Sequence, residues 1–163
     1  MILVCNAGPI IALAKIDCLT LLQQLGTSVS VPETVYHEIL AKPGTETTRI
    51  LQATRSFLLV VAVPNPTDNA VATAIRQLDP GESEVITLAS STLPPATALL
   101  DDAAGRRVAQ KLGIPVLGFA GLLLTAKNRH LIDSIMPHLL NARNQGYWLS
   151  DELLSTARHL AGE

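Results

Sequence analysis

The segment Ile2-Leu3-Val4-Cys5-Asn6-Ala7-Gly8-Pro9 joins a short apolar run to a Gly-Pro break, and a second apolar run from Ile10 to Lys15 follows. A short aliphatic run before such a break is typical of a buried strand, which here ends at Asn6. Because Pro9 has a fixed φ and no amide hydrogen, it suits the first turn of a helix. The segment therefore predicts a buried strand followed directly by a helix.

The same alternation continues through residue 117. Short apolar runs predict further strands at 29–31, 58–63, 98–100 and 115–117. The residues between and after the strands predict helices at 19–25, 34–40, 47–56, 69–78, 83–91, 103–112, 119–127, 132–144 and 150–160. Strands that alternate with helices form a parallel sheet covered on both faces. We expect a three-layer α/β/α fold whose central, mainly parallel sheet has four to five strands.

Length and composition fit a single domain. The chain has 163 residues, of which 48% are hydrophobic and only 3% aromatic. Its core must therefore be aliphatic, which suits a parallel sheet buried on both faces. No repeat or linker interrupts the sequence. We expect one domain over residues 1–163, with a core of about 1–118 and a helical C-terminal extension of about 119–163.

Charge and cysteines suggest a cytoplasmic protein without a broadly basic surface. The net charge of −2 means that any nucleic-acid contact needs a local cluster or bound cations. Cys5 and Cys18 have apolar neighbours and no metal-ligand spacing, which predicts reduced thiols in or near the core. No leader is evident, and the apolar runs are far shorter than the roughly 20 residues of a membrane span. We therefore expect no membrane association.

Acidic and amide side chains follow the predicted strands or open the predicted helices. Such positions meet at the carboxyl edge of a parallel sheet, where binding sites form. A compact set of oxygen ligands is what hard divalent cations require, and two such cations can hold a phosphodiester and activate water. The candidates are Asn6 after the first strand, Glu38 in the helix after the second, Glu82 with Glu84 behind it, and Asp101 and Asp102 after the fourth.

Each of these residues also has a simpler explanation. Glu82 suits the first turn of a helix because of the helix dipole, and Asp101 suits a helix cap. Glu38 is equally compatible with an ordinary surface position. Arg106 and Arg107 suit phosphate binding at the edge of the site, or a solvated helix face.

Other catalytic classes have no sequence support. The four histidines are scattered, and none pairs with Ser or Cys in a recognisable arrangement. No GxSxG elbow, GxGxxG loop or GxxxxGK loop is present.

Several segments, taken in order, resemble the PIN-domain relatives of the VapC toxins. The resemblance covers almost the whole chain. Its segments are Val4-Cys5-Asn6-Ala7-Gly8-Pro9-Ile10-Ile11-Ala12-Leu13-Ala14-Lys15-Ile16, Val31-Pro32-Glu33-Thr34-Val35-Tyr36-His37-Glu38-Ile39, Leu78-Asp79-Pro80-Gly81-Glu82-Ser83-Glu84-Val85-Ile86-Thr87-Leu88-Ala89, Leu100-Asp101-Asp102, Gly105-Arg106-Arg107-Val108-Ala109, Leu149-Ser150-Asp151-Glu152-Leu153 and Leu160-Ala161-Gly162-Glu163.

The resemblance implies a PIN-like fold and a Mg²⁺ or Mn²⁺ site that cuts RNA. It places the family's four acidic positions at Asn6, Glu38, Glu82 and Asp101, with Asp102 as a helper. It also implies a small antitoxin partner and a homodimer. We expect Glu38, Glu82 and Asp101 to be catalytic, all five residues to hold metal, and Arg106 and Arg107 to bind substrate.

Two positions depart from the family pattern. Asn6 replaces an acid, so the metal site loses one negative charge. Gly8 stands where a small hydroxyl residue is frequent. Two hypotheses follow: a metal-dependent ribonuclease that is the toxin of a toxin–antitoxin pair, or a catalytically weak PIN module that binds RNA or a partner protein. An unrelated α/β enzyme is a third possibility.

Tyr147 and Trp148 form an aromatic pair in a chain that has few aromatic residues. Aromatic side chains are enriched at interfaces, so the pair is a candidate contact with a second subunit or an antitoxin. The alternative is an anchor that packs the last helix against the core.

Overall fold

The structure, a computed structural model, describes residues 1–163 as an α/β protein built on a five-stranded, all-parallel sheet of order β3-β2-β1-β4-β5. The strands are β1 (Ile2–Cys5), β2 (Ser28–Pro32), β3 (Leu58–Val61), β4 (Thr97–Leu99) and β5 (Val116–Leu117). The helices are α1 (Ala7–Lys15), α2 (Thr20–Leu25), α3 (Glu33–Ala41), α4 (Thr47–Thr54), α5 (Asn69–Ala74), α6 (Pro80–Ser90), α7 (Ala103–Lys111), α8 (Phe119–Asn128), α9 (Met136–Asn144) and α10 (Asp151–Ala161). The predicted fold class is confirmed.

The centre of the sheet is β1, which pairs with β2 on one side and β4 on the other. Leu3 lies opposite Val29 of β2 and opposite Thr97 of β4. The chain adds strands in one direction up to β3 and in the other direction from β4 onward. The order therefore reverses between β1 and β4. In open parallel sheets such a reversal leaves a crevice at the carboxyl edge, where ligands bind.

One aliphatic core of 39 buried residues joins the sheet to the helices on both faces. It includes residues of the C-terminal helices, among them Leu122, Leu139 and Leu154. Phe119 is its largest fully buried side chain. Cys5 is buried and Cys18 half-buried, both as free thiols. None of the helices combines the length and the apolar character needed to cross a membrane.

Two helix boundaries differ by four residues from the prediction. Helix α5, predicted to reach residue 78, ends at Ala74, and α9, predicted from residue 132, begins at Met136. Pro137 favours this start because proline suits the first turn of a helix. The side chain of Glu163, distant in sequence, accepts hydrogen bonds from the Ile135 and Met136 amides at 2.8 and 3.0 Å. A local pattern cannot reveal a cap that comes from the other end of the extension.

Candidate functional site

The carboxyl ends of β1 and β4 place Asn6 and Asp101 at one edge of the sheet. The backbone N–H of Asn6 donates to the Leu99 carbonyl at 3.1 Å, which extends the β1–β4 pairing by one residue. The Asn6 side chain caps α1, because its Oδ1 accepts from the Ala7 amide at 2.9 Å. Its amide oxygen thus serves the helix in the structure.

Both oxygens of Asp101 are fixed by donors from the C-terminal extension. Oδ1 accepts from the backbone amide of Phe119, the first residue of α8, at 2.9 Å. Oδ2 accepts from the phenol hydroxyl of Tyr147, which follows α9. The Asp101 carboxylate therefore has a defined orientation although the residue itself is exposed.

Of the two arginines, Arg106 adjoins Asp101. Its Nη1 donates to the Leu100 carbonyl at 2.9 Å. A Cβ built on Gly118 would lie 2.8 Å from Asp101 Oδ1 and 2.9 Å from Arg106 Nη1, so both side chains contact the same glycine. Arg107 is exposed on α7. The site edge thus contains one guanidinium held in place and one that points to solvent.

Glu82 is the buried acid of the site, with an exposed fraction of only 5%. It lies in the first turn of α6, where the side chain of Asp79 caps the helix by accepting from the Glu82 amide at 2.8 Å. A Cβ on Gly105 of α7 would lie 3.1 Å from Glu82 Oε1, so the carboxyl group rests against the α7 backbone. The absence of a side chain at residue 105 makes room for it.

Neighbouring acids and burial raise the pKa of Glu82 to about 7. Desolvation is the largest cause, followed by the negative charges of Asp79 and Asp102 and a hydrogen bond with the Asp102 side chain. Asp102 itself caps α7, since its Oδ1 accepts from the Ala104 amide at 2.7 Å. Near neutral pH the Glu82 carboxyl group is therefore partly protonated.

Glu38 extends this acidic group towards α3. A Cβ on Gly81 would lie 2.9 Å from Glu38 Oε1, so the Glu38 carboxylate contacts the start of α6. Desolvation, then the charges of Asp79 and Glu84, raise its pKa. Glu84 Oε1 accepts from the Thr34 hydroxyl at 2.8 Å, and its Oε2 is buried without a partner.

The predicted acids therefore lie along one edge of the sheet in two parts. Glu38 and Glu82 belong to a row of carboxylates, whereas Asp101 faces Tyr147 and Phe119. No three or more His, Cys, Asp or Glu side chains are grouped so that they could hold a metal ion. No lysine or arginine forms an ion pair with any of these acids, because the ion pairs of the structure are Arg49–Asp17, Lys127–Glu163 and Arg143–Asp151. The carboxylate oxygens of the site are the kind of ligand that Mg²⁺ or Mn²⁺ prefers, and no basic side chain neutralises their negative charge. Their positions in the structure do not form a coordination shell.

Two residues of the site were not among the metal-binding, catalytic or substrate-binding candidates. Asp79 had a recognisable signal, since an acidic cap three residues before a glutamate is typical of a helix start. Tyr147 was a candidate only for a partner contact or for packing, because no local pattern reveals its hydrogen bond with Asp101, which joins segments 46 residues apart. Of the aromatic pair, Tyr147 packs edge-on against Phe119 with ring centroids 5.2 Å apart, whereas Trp148 is 83% exposed.

A five-stranded parallel sheet between helical layers, with acids along its carboxyl edge, defines a PIN-like α/β/α protein. The chain belongs to the DUF3368 family of PIN domains, whose family model matches residues 2–163. The PIN domain is a nuclease-type fold. Neither the curated proteins nor the solved structures contain a significant match to the chain.

Proposed function

We propose that the protein is a divalent-metal-dependent endoribonuclease similar to the toxin of a VapBC-type toxin–antitoxin pair. The observation that supports the proposal best is the state of Glu82. A buried carboxyl group with Asp79 and Asp102 as neighbours and no basic partner is costly to keep charged. Such acid crowding is frequent at functional sites, and a bound cation would relieve it.

The ligands that we propose for Mg²⁺ or Mn²⁺ are the acids of the carboxyl edge together with one amide: Glu38, Glu82, Asp101, Asp102 and Asn6. When bound, the metal would supply an activated water and a positive charge for the leaving oxygen. Because the donors lie in two parts, we expect their side chains to move towards one another when the metal binds.

The remaining roles follow from the side chains of the edge. Without metal, Glu82, with its pKa of about 7, holds a proton towards Asp102 at neutral pH, and a bound cation would displace that proton. Arg106, oriented by the Leu100 carbonyl, presents a guanidinium beside Asp101 that suits a phosphate oxygen. Arg107 supplies a second, solvent-exposed positive charge for the RNA backbone.

We also propose cytoplasmic location, a small antitoxin partner and a homodimer. The free thiols are compatible with a reducing compartment. The exposed Trp148 and the 39%-exposed Leu153 provide apolar surface beside the site for a partner protein. The mass of the protein alone in solution tests the homodimer. The mass after mixing with the product of a neighbouring reading frame tests the antitoxin partner.

The nuclease proposal is tested by RNA cleavage in Mn²⁺ with a matched pair of variants. Asp101→Asn keeps the shape of the side chain but removes the charge. Asp17→Asn removes a charge from an exposed residue whose partner is Arg49, outside the site. We expect Mn²⁺-dependent cutting, stopped by a chelator, that is lost in Asp101→Asn and retained in Asp17→Asn. Equal cutting by both variants would show that a contaminating nuclease is responsible.

A second function, RNA or protein binding with little catalysis, is favoured by one observation. Asn6 provides no charge, and its oxygen already caps α1. Under this alternative the native chain binds RNA in a gel-shift assay without cutting it, and Asp101→Asn binds equally well.

A further inference from the structure

The segment from Gln145 to Tyr147, between α9 and α10, is fastened to the body of the protein at several points. Gln145 Nε2 donates to the Lys15 carbonyl at 3.0 Å, and Lys15 Nζ donates to the Gln145 carbonyl at 3.1 Å. The Tyr147 amide donates to the Ala142 carbonyl at 2.9 Å. These bonds lie on both sides of the turn at Gly146, so the Tyr147 ring is carried by an ordered turn.

The Tyr147 hydroxyl lies between Asp101 and Gly8. It donates to Asp101 Oδ2, and a Cβ built on Gly8 would lie 3.4 Å from the hydroxyl oxygen. The ring reaches this position over the fully buried Phe119. The space that a side chain at residue 8 would enter is therefore occupied by a hydroxyl group from the C-terminal extension.

We propose that Tyr147 is a positioning residue of the site, and that its hydroxyl orients Asp101 in place of a side-chain hydroxyl at residue 8. The inference rests on the proposed nuclease function. A carboxylate accepts about four hydrogen bonds or ligands, so Asp101 retains free lone pairs on both oxygens for a cation. Donors that orient a ligating carboxylate typically affect metal affinity or activity by about 10–100-fold.

The direct test compares Tyr147→Phe with Tyr36→Phe. Tyr36 is the other tyrosine of the chain, half-buried on α3, and its hydroxyl forms no hydrogen bond. We expect Tyr147→Phe to lower kcat for Mn²⁺-dependent RNA cleavage by about 10–100-fold with KM little changed. Mn²⁺ affinity measured by calorimetry should fall by a similar factor, and circular dichroism should show a native fold. Tyr36→Phe should match the native chain in all three measurements.

A rescue experiment tests the equivalence of the two hydroxyl groups. In the double variant Gly8→Ser, Tyr147→Phe, the serine side chain points towards the place that the phenol oxygen vacates. We expect it to regain a large part of the lost kcat and Mn²⁺ affinity. Gly8→Ala, Tyr147→Phe has the same Cβ without the hydroxyl and should remain impaired. Equal values for the two double variants would overturn the equivalence.

Failure of this inference differs from failure of the proposed function. If the native chain cuts RNA, Asp101→Asn does not, and Tyr147→Phe equals the native chain, the function stands and the positioning role is wrong. If the native chain binds Mn²⁺ without cutting RNA, the nuclease proposal fails, and calorimetry on Tyr147→Phe still decides the positioning role. A native chain that neither binds Mn²⁺ nor cuts RNA would overturn both.

Discussion

Glu82 and Glu163 have opposite environments in the same protein. Four donors converge on Glu163, namely Lys127 Nζ at 2.7 Å, the Ser134 hydroxyl, and the amides of Ile135 and Met136. Desolvation alone would raise its pKa, but these hydrogen bonds outweigh it and hold the pKa at about 2. Glu82 has acids for neighbours, and its pKa is raised to about 7.

The difference separates a stabilising carboxylate from one that costs stability. The donors around Glu163 favour its charge and fasten α9 to the end of α10, so folding gains from ionisation there. Folding brings Glu82 next to like charges, so its ionisation opposes folding. A destabilised acid is retained most readily where function requires it, since sites for ligands are commonly suboptimal for stability.

The largest effect that we expect is on RNA cleavage. Glu82→Gln removes a proposed metal ligand and should lower Mn²⁺-dependent cleavage by roughly 100-fold or more. Glu163→Gln removes an equally well-defined carboxylate from the other region and should leave kcat and KM unchanged. The measurement is steady-state cleavage of a labelled RNA. If Glu163→Gln loses as much activity as Glu82→Gln, the separation of the two regions is wrong.

The next largest effect concerns the pH dependence of the free energy of unfolding. The folded pKa of Glu82 lies above the ordinary 4.5, so its contribution is present below about 4.5 and lost as pH rises through 7. The folded pKa of Glu163 lies below 4.5, so its contribution is present above 4.5 and lost as pH falls towards 2. Glu82→Gln should therefore be more stable than the native chain at pH 8, by roughly 2–3 kcal/mol.

Denaturant unfolding between pH 2 and pH 8 checks this prediction. Glu82→Gln should flatten the profile above pH 4.5, and Glu163→Gln should flatten it below. Because each variant is compared with the native chain at every pH, the other titrating groups cancel. If both variants had the same free energy of unfolding as the native chain at every pH, the roles assigned to the two carboxylates would be wrong.

A smaller effect should follow from adding divalent cation without RNA. A ligand at ten times its Kd stabilises the folded state by about 1.4 kcal/mol, which raises the Tm of a chain of this size by roughly 3–5 °C. We expect this rise for the native chain and for Glu163→Gln, whereas Glu82→Gln should show little of it. The same rise in all three chains would indicate a cation site away from the carboxyl edge.

Much of the fold and part of the site could be predicted from sequence, for different reasons. The strand at Ile2–Cys5 and the helix after it are encoded locally, by an aliphatic run and a break. The placement of Asn6 and Asp101 at one edge follows from parallel strands alone. The pairing of Asp101 with Tyr147 depends on how the C-terminal extension packs, and no local pattern contains that information. The caps that Glu163 provides have the same long-range origin.

The smallest effect that we expect distinguishes two glycines, one beside each glutamate. Gly162 has φ +68 and follows α10, so Gly162→Ala should cost about 1 kcal/mol through backbone strain. Gly105 is helical, so Gly105→Ala should gain about as much from helix propensity as it loses to the contact with Glu82 Oε1, leaving the Tm nearly unchanged. That contact should still displace the Glu82 carboxyl group, so Gly105→Ala should cut RNA more slowly while Gly162→Ala cuts at the native rate.

Thermal unfolding and RNA cleavage are measured for both variants: Gly162→Ala should lose stability only, and Gly105→Ala should lose cleavage rate only. If Gly105→Ala lost stability but kept its cleavage rate, the close approach of α7 to Glu82 would be a packing feature without a role in the site.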